Sequence, residues 1–314
     1  MVVARRILVR PSPLSKSLFQ SLSRAYSSST TGGRVQLVFD HHAPPNSDRH
    51  QQDAPIIFMH GLFGSKKNNR SVSNLTDPLF VQDLRNHGES PHASRHDYIA
   101  MADDVAGFIS EHGLKEPTLI GHSMGAKTAM TLALDQPSLI SNIVSVDNAP
   151  IDAVLSRDFA KYVRGMRHIE EAGATRQSEA DEILADYEPD LGIRQFLLGN
   201  LYRTTVPSTE KEQTTKNVVK FRIPLDTLAK SLDNLGDFPF RDPDERRFVK
   251  PALFVRGSKS KYVPDEAIPV IGRFFPRFRL VDVDAGHWLI SEKPNDFLKT
   301  VIEFLTPHEE QQQK

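Results

Sequence analysis

Residues 121–125 read Gly-His-Ser-Met-Gly, a G-x-S-x-G pattern. A buried-strand run at 117–120 leads into it, and a compact apolar helix pattern at 126–133 leads out. Strand, turn and helix in that order are the setting of a nucleophile elbow. There a serine sits on a sharp turn and lifts its hydroxyl above a sheet. The flanking glycines have a steric purpose, because side chains two positions away would collide on so tight a bend. The start of the following helix adds favourable potential for a developing negative charge. Ser123 is therefore the candidate nucleophile, and acyl transfer is the chemistry it points to.

A serine is a poor nucleophile without a base. Of twelve histidines, His287 stands at the end of the last expected strand, 279–283, in Asp-Ala-Gly-His-Trp. Gly286 gives that loop the freedom to aim the ring. The base in turn needs an acid to fix its tautomer and stabilise the imidazolium. The loop at 257–264, after the next-to-last strand, holds no carboxylate, and Ser260 stands where an acid is expected. One strand after the nucleophile, Asp147 ends a buried run at 143–146. Asp147 is the chosen acid, with Asp226 and Asp265 as fallbacks. Backbone donors for a tetrahedral oxyanion are expected from Met124, the residue after the nucleophile, and from Leu62 in the loop His60-Gly-Leu-Phe-Gly64. His60 reads as a brace for that loop, and Asp83 and Arg85 as braces for the next.

Two other chemistries were weighed. Residues 121–128 approach a phosphate-binding G-x-x-x-x-G-K-[ST] loop, but Ala126 stands where glycine must precede Lys127. His87, His92 and His96 match no zinc spacing. No metal site and no resident cofactor are expected. With no cysteine in the chain, disulfides, thiolate metal sites and a cysteine nucleophile are excluded.

The elements that must position these residues follow from the apolar pattern. Short continuous apolar runs at 55–59, 79–84, 118–120, 143–146, 252–255 and 279–283 read as strands buried on both faces. Residues 34–40 alternate as a half-buried strand does. Helical periodicities at 98–109, 126–133, 265–275 and 295–305 lie between them. Alternating strands and helices mean βαβ units and a mostly parallel sheet flanked by helices. Residues 151–245 break the rhythm. They show helical stretches at 159–171 and 225–235 and no convincing buried strand, and they read as a helical lid insertion. The helix near 66–75 must be short, since only about twenty residues separate two strands there and a crossover needs about a dozen.

Charge divides the 314 residues unevenly. Residues 1–31 hold Arg5, Arg6, Arg10, Lys16 and Arg24, are rich in serine and contain no acid. That composition is the mark of an organelle transit peptide. Without those five cations the formal charge falls from −1 to −6, which argues against nucleic-acid binding. No apolar run reaches the roughly 18 residues of a membrane span. The expected organisation is a transit peptide at 1–31, one domain at 32–306 with its lid at about 151–245, and a polar tail at 307–314.

Taken together, His60-Gly-Leu-Phe-Gly-Ser-Lys-Lys-Asn68, Asp83-Leu-Arg-Asn-His-Gly-Glu-Ser-Pro-His92, Gly121-His-Ser-Met-Gly-Ala-Lys-Thr-Ala-Met130 and Ala285-Gly-His-Trp288 resemble the α/β-hydrolase superfamily. More narrowly they resemble its mitochondrial abhydrolase-domain-eleven branch, which includes the ethanol acetyltransferases. The resemblance runs over about 34–305. It implies an α/β-hydrolase fold with Ser123, Asp147 and His287 on the triad positions; some members have been assigned an acid matching Asp226 instead. It also implies cleavage of acyl esters and thioesters, or acetyl transfer from acetyl-CoA, a candidate co-substrate, to an alcohol. With the composition of residues 1–31, it implies the mitochondrion as the compartment, with the matrix expected. The stretch 69–80 is several residues shorter than the resemblance implies. The expectation is a serine esterase, thioesterase or alcohol acetyltransferase acting on small acyl substrates. The alternative from another class is a catalytically silent scaffold that binds a mitochondrial partner.

Overall fold

The computed structural model describes residues 33–42, 54–68, 75, 78–153, 157–209 and 212–306. The transit peptide expected at 1–31, the tail expected at 307–314 and most of 69–77 lie outside the described residues.

The chain forms β1 (Phe39–His42), β2 (Ile56–Met59), β3 (Leu79–Gln82), α1 (Tyr98–Glu111), β4 (Thr118–His122), α2 (Met124–Asp135) and β5 (Asn142–Val146). After the insertion come β8, α7, β9, α8 and α9, at Ala252–Gly257, Ile268–Phe274, Phe278–Val283, Leu289–Glu292 and Pro294–Leu305. Seven strands form one sheet in the order β1-β3-β2-β4-β5-β8-β9. Only β1 runs antiparallel to its neighbour. The others pair in parallel.

The continuous apolar runs are buried on both faces in β2, β3, β4, β5 and β8, while β9, at the sheet edge, is only partly covered. In β2, Ile57 and Met59 join a core with α1, α2 and α7. Ile56 and Phe58 join a second core with α8 and α9 on the other face. Six apolar runs of the sequence correspond to β2, β3, β4, β5, β8 and β9. The alternating run at 34–40 yields a strand only from Phe39. Val35 and Leu37 do point inward, yet two amides of this stretch bond to side chains instead of a ladder. Val35 N–H donates to Asp104 Oδ1 and Val38 N–H to Ser90 Oγ. Near 66–75, the described part shows one turn of 3-10 helix, Lys66–Asn68.

The insertion corrects the sequence reading. It contains α3 (Arg157–Ala172), α4 (Gln177–Ala185), α5 (Leu191–Leu198) and α6 (Leu225–Gly236), but also a long antiparallel hairpin, β6 (Leu201–Thr209) with β7 (Glu212–Phe221). The hairpin is a sheet of its own, and among its described residues only Val218, Val219 and Phe221 are buried. It therefore lacks the apolar run by which the central strands were found. Val163, Met166 and Ile169 of α3 sit in the same core as the helices beneath. The two ends of the insertion meet. Ala153 N–H donates to Gly236 O at 2.9 Å, and Phe238 N–H to Asp152 Oδ1 at 2.8 Å. Lys127 on α2 donates from Nζ to the carbonyls of Gly236 and Asp237, and Tyr98 on α1 to that of Leu235. Lys127 thus caps the C-terminus of α6, where a cation meets the negative end of the helix dipole.

A buried ion pair joins the sheet's top loop to α1. Arg85 donates from Nε and Nη2 to Asp104 at 2.6 and 2.8 Å, with both side chains almost fully buried. Arg85→Met should destabilise the fold by about 3–5 kcal/mol, because it strands a buried carboxylate. Arg85→Met with Asp104→Leu should recover most of that loss in denaturant unfolding.

Candidate active site

One residue separates β4 from α2, and it is Ser123, with φ of 54° and ψ of −111°. A non-glycine residue there is strained, and the surroundings must hold it. Ser123 N–H donates to Val146 O at 2.9 Å, tying the bend to β5. The glycines of the motif are required by contact: a Cβ on Gly121 would lie 2.1 Å from Gly125 O, and one on Gly125 would lie 2.4 Å from Met59 O. The bend can exist only where both positions lack a side chain.

His287 follows β9, and Asp147 follows β5 directly. His287 Nε2 lies 3.0 Å from Ser123 Oγ, and His287 Nδ1 lies 2.6 Å from Asp147 Oδ2. An ionised carboxylate only accepts, so Nδ1 donates and Nε2 is left to accept the hydroxyl hydrogen. Asp147 is fully buried and receives two further donors. Gly257 N–H reaches Oδ1 at 3.0 Å, and Ser260 Oγ–H reaches Oδ2 at 2.5 Å. The sequence noted Ser260 only as a missing acid; here it is a hydroxyl donor to an acid supplied from another strand. The fallback acids are elsewhere. Asp226 is exposed and paired with Arg167, and Asp265 is exposed and paired with Arg256. The Tyr262 ring lies 4.1 Å from the His287 ring.

The loop between β2 and its turn of 3-10 helix approaches the same bend. No hydrogen bond occupies the Leu62 amide among the described residues. Met124 is the first residue of α2, where helix geometry leaves N–H groups unpaired. Phe63, next in the loop, has φ of 62°. Three side chains hold this conformation. His60 donates from Nδ1 to Gly61 O at 2.8 Å and accepts at Nε2 from Leu84 N–H at 3.0 Å. His87 accepts at Nε2 from Phe63 N–H at 3.1 Å and donates from Nδ1 to Arg85 O. Asn200, between α5 and β6, donates to Phe63 O at 2.8 Å. Asn200 was invisible in the sequence, since one amide in a polar insertion carries no pattern. Asp83 accepts from Lys66 N–H and Glu89 N–H, bracing both loops.

These imidazoles are neutral for a geometric reason, because a charged ring has no lone pair with which to accept an amide. Burial lowers the pKa of His60 and drives that of His87 well below the usual value. His96, against Asn86, is pushed down to about 3, chiefly by burial. Lys127 is lowered to about 8 by burial; its ammonium is engaged by backbone carbonyls and is remote from a phosphate role.

A cavity of about 310 Å³ is walled by His60, Gly61, His122, Gln195, Phe196 and Trp288, so it reaches the residues that adjoin Ser123 and His287 in the chain. It opens between the β2 loop, the elbow, α5 and the chain after His287.

The family described as "alpha/beta hydrolase fold" matches residues 54–294. The chain is an α/β-hydrolase. Within that superfamily it groups with the ethanol acetyltransferases and abhydrolase-domain-eleven proteins. This α/β-hydrolase is 39% identical over 285 residues to a probable alcohol acetyltransferase of Saccharomyces cerevisiae, covering 85% of this chain and 82% of the relative. It is 37% identical over 261 residues to an sn-1-specific diacylglycerol lipase of Mus musculus, covering 80% of each chain. Among solved structures it resembles a marine microorganism esterase, with a TM-score of 0.76 and 30% identity over 86% of this chain and 99% of that one.

The neutral histidines make stability depend on pH. Their folded values lie below the ordinary 6.5, so the unfolded chain binds protons that the folded chain refuses. Stability is therefore unaffected by them well above pH 6.5 and falls as pH drops below it. Each contributes up to about 1.4 kcal/mol per pH unit. Denaturant unfolding from neutral pH to about pH 5 should show this slope. A flat profile there would contradict the neutral-imidazole arrangement.

Proposed function

We propose that this α/β-hydrolase acts through a serine-bound acyl intermediate, as an ester or thioester hydrolase or an alcohol acyltransferase on short acyl groups. The single observation that carries the reading is the hydrogen-bonded series Ser123, His287, Asp147. Ser123 Oγ attacks the acyl carbonyl carbon while its proton passes to His287 Nε2. Asp147, held by Gly257 and Ser260, keeps the imidazole in the donating tautomer and stabilises its charge. The Leu62 and Met124 amides receive the oxyanion. The leaving group takes the proton from His287, and water or an alcohol then releases the acyl group by the same steps in reverse. Acetyl-CoA is the proposed acyl donor for transfer to an alcohol, a role suggested by the acetyltransferase named among the relatives. The lipase named among them favours a second reading, hydrolysis of an acylglycerol at the same serine. No helix among the described residues is long and apolar enough to cross a membrane. The composition of residues 1–31 supports placing the protein in the mitochondrion, and fusion of those residues to a reporter tests that placement.

Incubation with acetyl-CoA and short p-nitrophenyl esters, with and without ethanol, separates transferase from hydrolase by the product formed. Ser123→Ala should abolish labelling by a fluorophosphonate and lower turnover by roughly a million-fold. Asp147→Asn should cost on the order of ten-thousand-fold, while Asp226→Asn stays near wild type. The reverse result would move the acid to Asp226.

Ser260→Ala removes a charge-assisted donor to Asp147 and should lower kcat by about tenfold. Ser260→Thr keeps the hydroxyl and should restore activity. Equal loss in both variants would mean that the hydroxyl does not hold the carboxylate.

A further inference from the structure

The loop 258–264 brings a second side chain to the site. Its Ser260 holds the acid, and Tyr262 lies against the base. The ring centroids of Tyr262 and His287 are 4.1 Å apart and the ring planes differ by 31°. Face therefore meets face. The two loop residues are tied to each other, since Tyr262 N–H donates to Ser260 Oγ at 3.3 Å. The loop itself is fixed at both ends. Ser258 N–H and Lys259 N–H donate to the carbonyls of Val283 and Ala285, and Arg256 Nη1 donates to Val263 O. One short loop thus reaches the acid and the base together.

A charge on His287 can be met from few directions. Both nitrogens are committed in the ring plane, Nδ1 to Asp147 and Nε2 to Ser123. The side chain is 13% exposed, so little water reaches it. The Trp288 ring stands 5.7 Å away with its plane at 69°. The His122 ring stands 5.0 Å away. Burial and the adjacent His287 lower the pKa of His122, and its Nε2–H donates to the His287 carbonyl at 2.8 Å, which steadies the backbone there. Tyr262 is the nearest of the described rings. The face of a phenol ring carries the negative lobe of its quadrupole, and it attracts a cation far more than a neutral ring. His287 accepts from Ser123 as a neutral ring and becomes a cation only as the proton arrives. A contact that strengthens at that moment lowers the barrier, whereas one equal in both states does not.

Resting on the acyl-enzyme reading, we propose that Tyr262 is a positioning residue of the reaction, whose ring face keeps the His287 imidazole in line with Ser123 and Asp147 and stabilises the imidazolium. The proton leaves Ser123 Oγ for Nε2 as Oγ bonds to the acyl carbon, and it passes on to the leaving group as that group departs. Tyr262 exchanges no bond and no proton in either step. Its aromatic face carries the effect, and its hydroxyl takes no part. Asp147 and Tyr262 divide the task by direction, the carboxylate in the plane of the imidazolium and the phenol ring above it.

The test measures kcat and KM of the full chain for p-nitrophenyl acetate in Tyr262→Leu, in Tyr262→Phe, and in Tyr262→Phe carrying one, two or three ring fluorines. Fluorine draws electrons from the ring face with little change in size. Tyr262→Leu should lower kcat/KM by about tenfold, with kcat falling in parallel, because an interaction made only in the transition state lowers both. Tyr262→Phe should stay near wild type, and each added fluorine should lower kcat/KM further towards the Leu value. A flat fluorine series overturns the proposal, since a ring that only fills space does not register fluorine. A loss in Tyr262→Phe as large as that in Tyr262→Leu overturns it too, because the effect then belongs to the hydroxyl. Should Tyr262→Leu fail to fold, the fluorine series decides by itself, as it keeps the ring in place. Ser123→Ala separates the two readings. Activity that survives there overturns the acyl-enzyme reading, whereas an inactive Ser123→Ala beside a flat fluorine series overturns the role of Tyr262 alone.

Discussion

The site depends on one bent residue. Ser123 holds a backbone conformation that a non-glycine side chain resists, and the rest of the sheet is arranged so that it cannot relax. β4 arrives along the middle of a seven-stranded sheet, α2 leaves at once, and β5 grips the bend through Val146. The two glycines allow α2 to press against the end of β2. That contact brings the Leu62 loop to the serine. A Cβ at either glycine would push helix from sheet and separate the hydroxyl from the amides that face it.

The charges around the bend follow a single rule: what is buried is fully partnered or kept neutral. Asp147 is buried and receives three donors, two from the end of β8 and its following loop and one from His287. His60 and His87 are buried, uncharged and used as both donor and acceptor. This suits a centre where charge must develop only briefly on His287 and on a substrate oxygen. Fixed dipoles already aimed at those atoms need little rearrangement when it does.

Much of this was legible in the residue order. The elbow, the base and the Leu62 loop rest on local patterns, in which a strand, a turn and a chemically able side chain are adjacent. The central strands announced themselves as apolar runs because both their faces are covered. What escaped depends on contacts between distant segments. The β6–β7 hairpin has little apolar surface to bury, so its residues carry no run. Ser260 and Asn200 act through single hydrogen bonds across the fold, to Asp147 and to Phe63, and one polar residue in a loop has no periodicity to betray it. Asp147 lay between the two cases: its strand was readable, but its partnership with His287 awaited three dimensions.

The clasp between the ends of the insertion has its own consequence. The polypeptide departs at Asp152 and Ala153 and comes back at Gly236 and Phe238, with these positions hydrogen-bonded to one another. Some eighty residues therefore leave and rejoin the domain at one place, and Asn200 and the apolar face of α3 dock them onto the body beneath. Evolution can lengthen, shorten or replace such a graft while that junction and the groups beneath it stay put. New substrates become reachable by exchanging a roof, with no rebuilding of the hearth below.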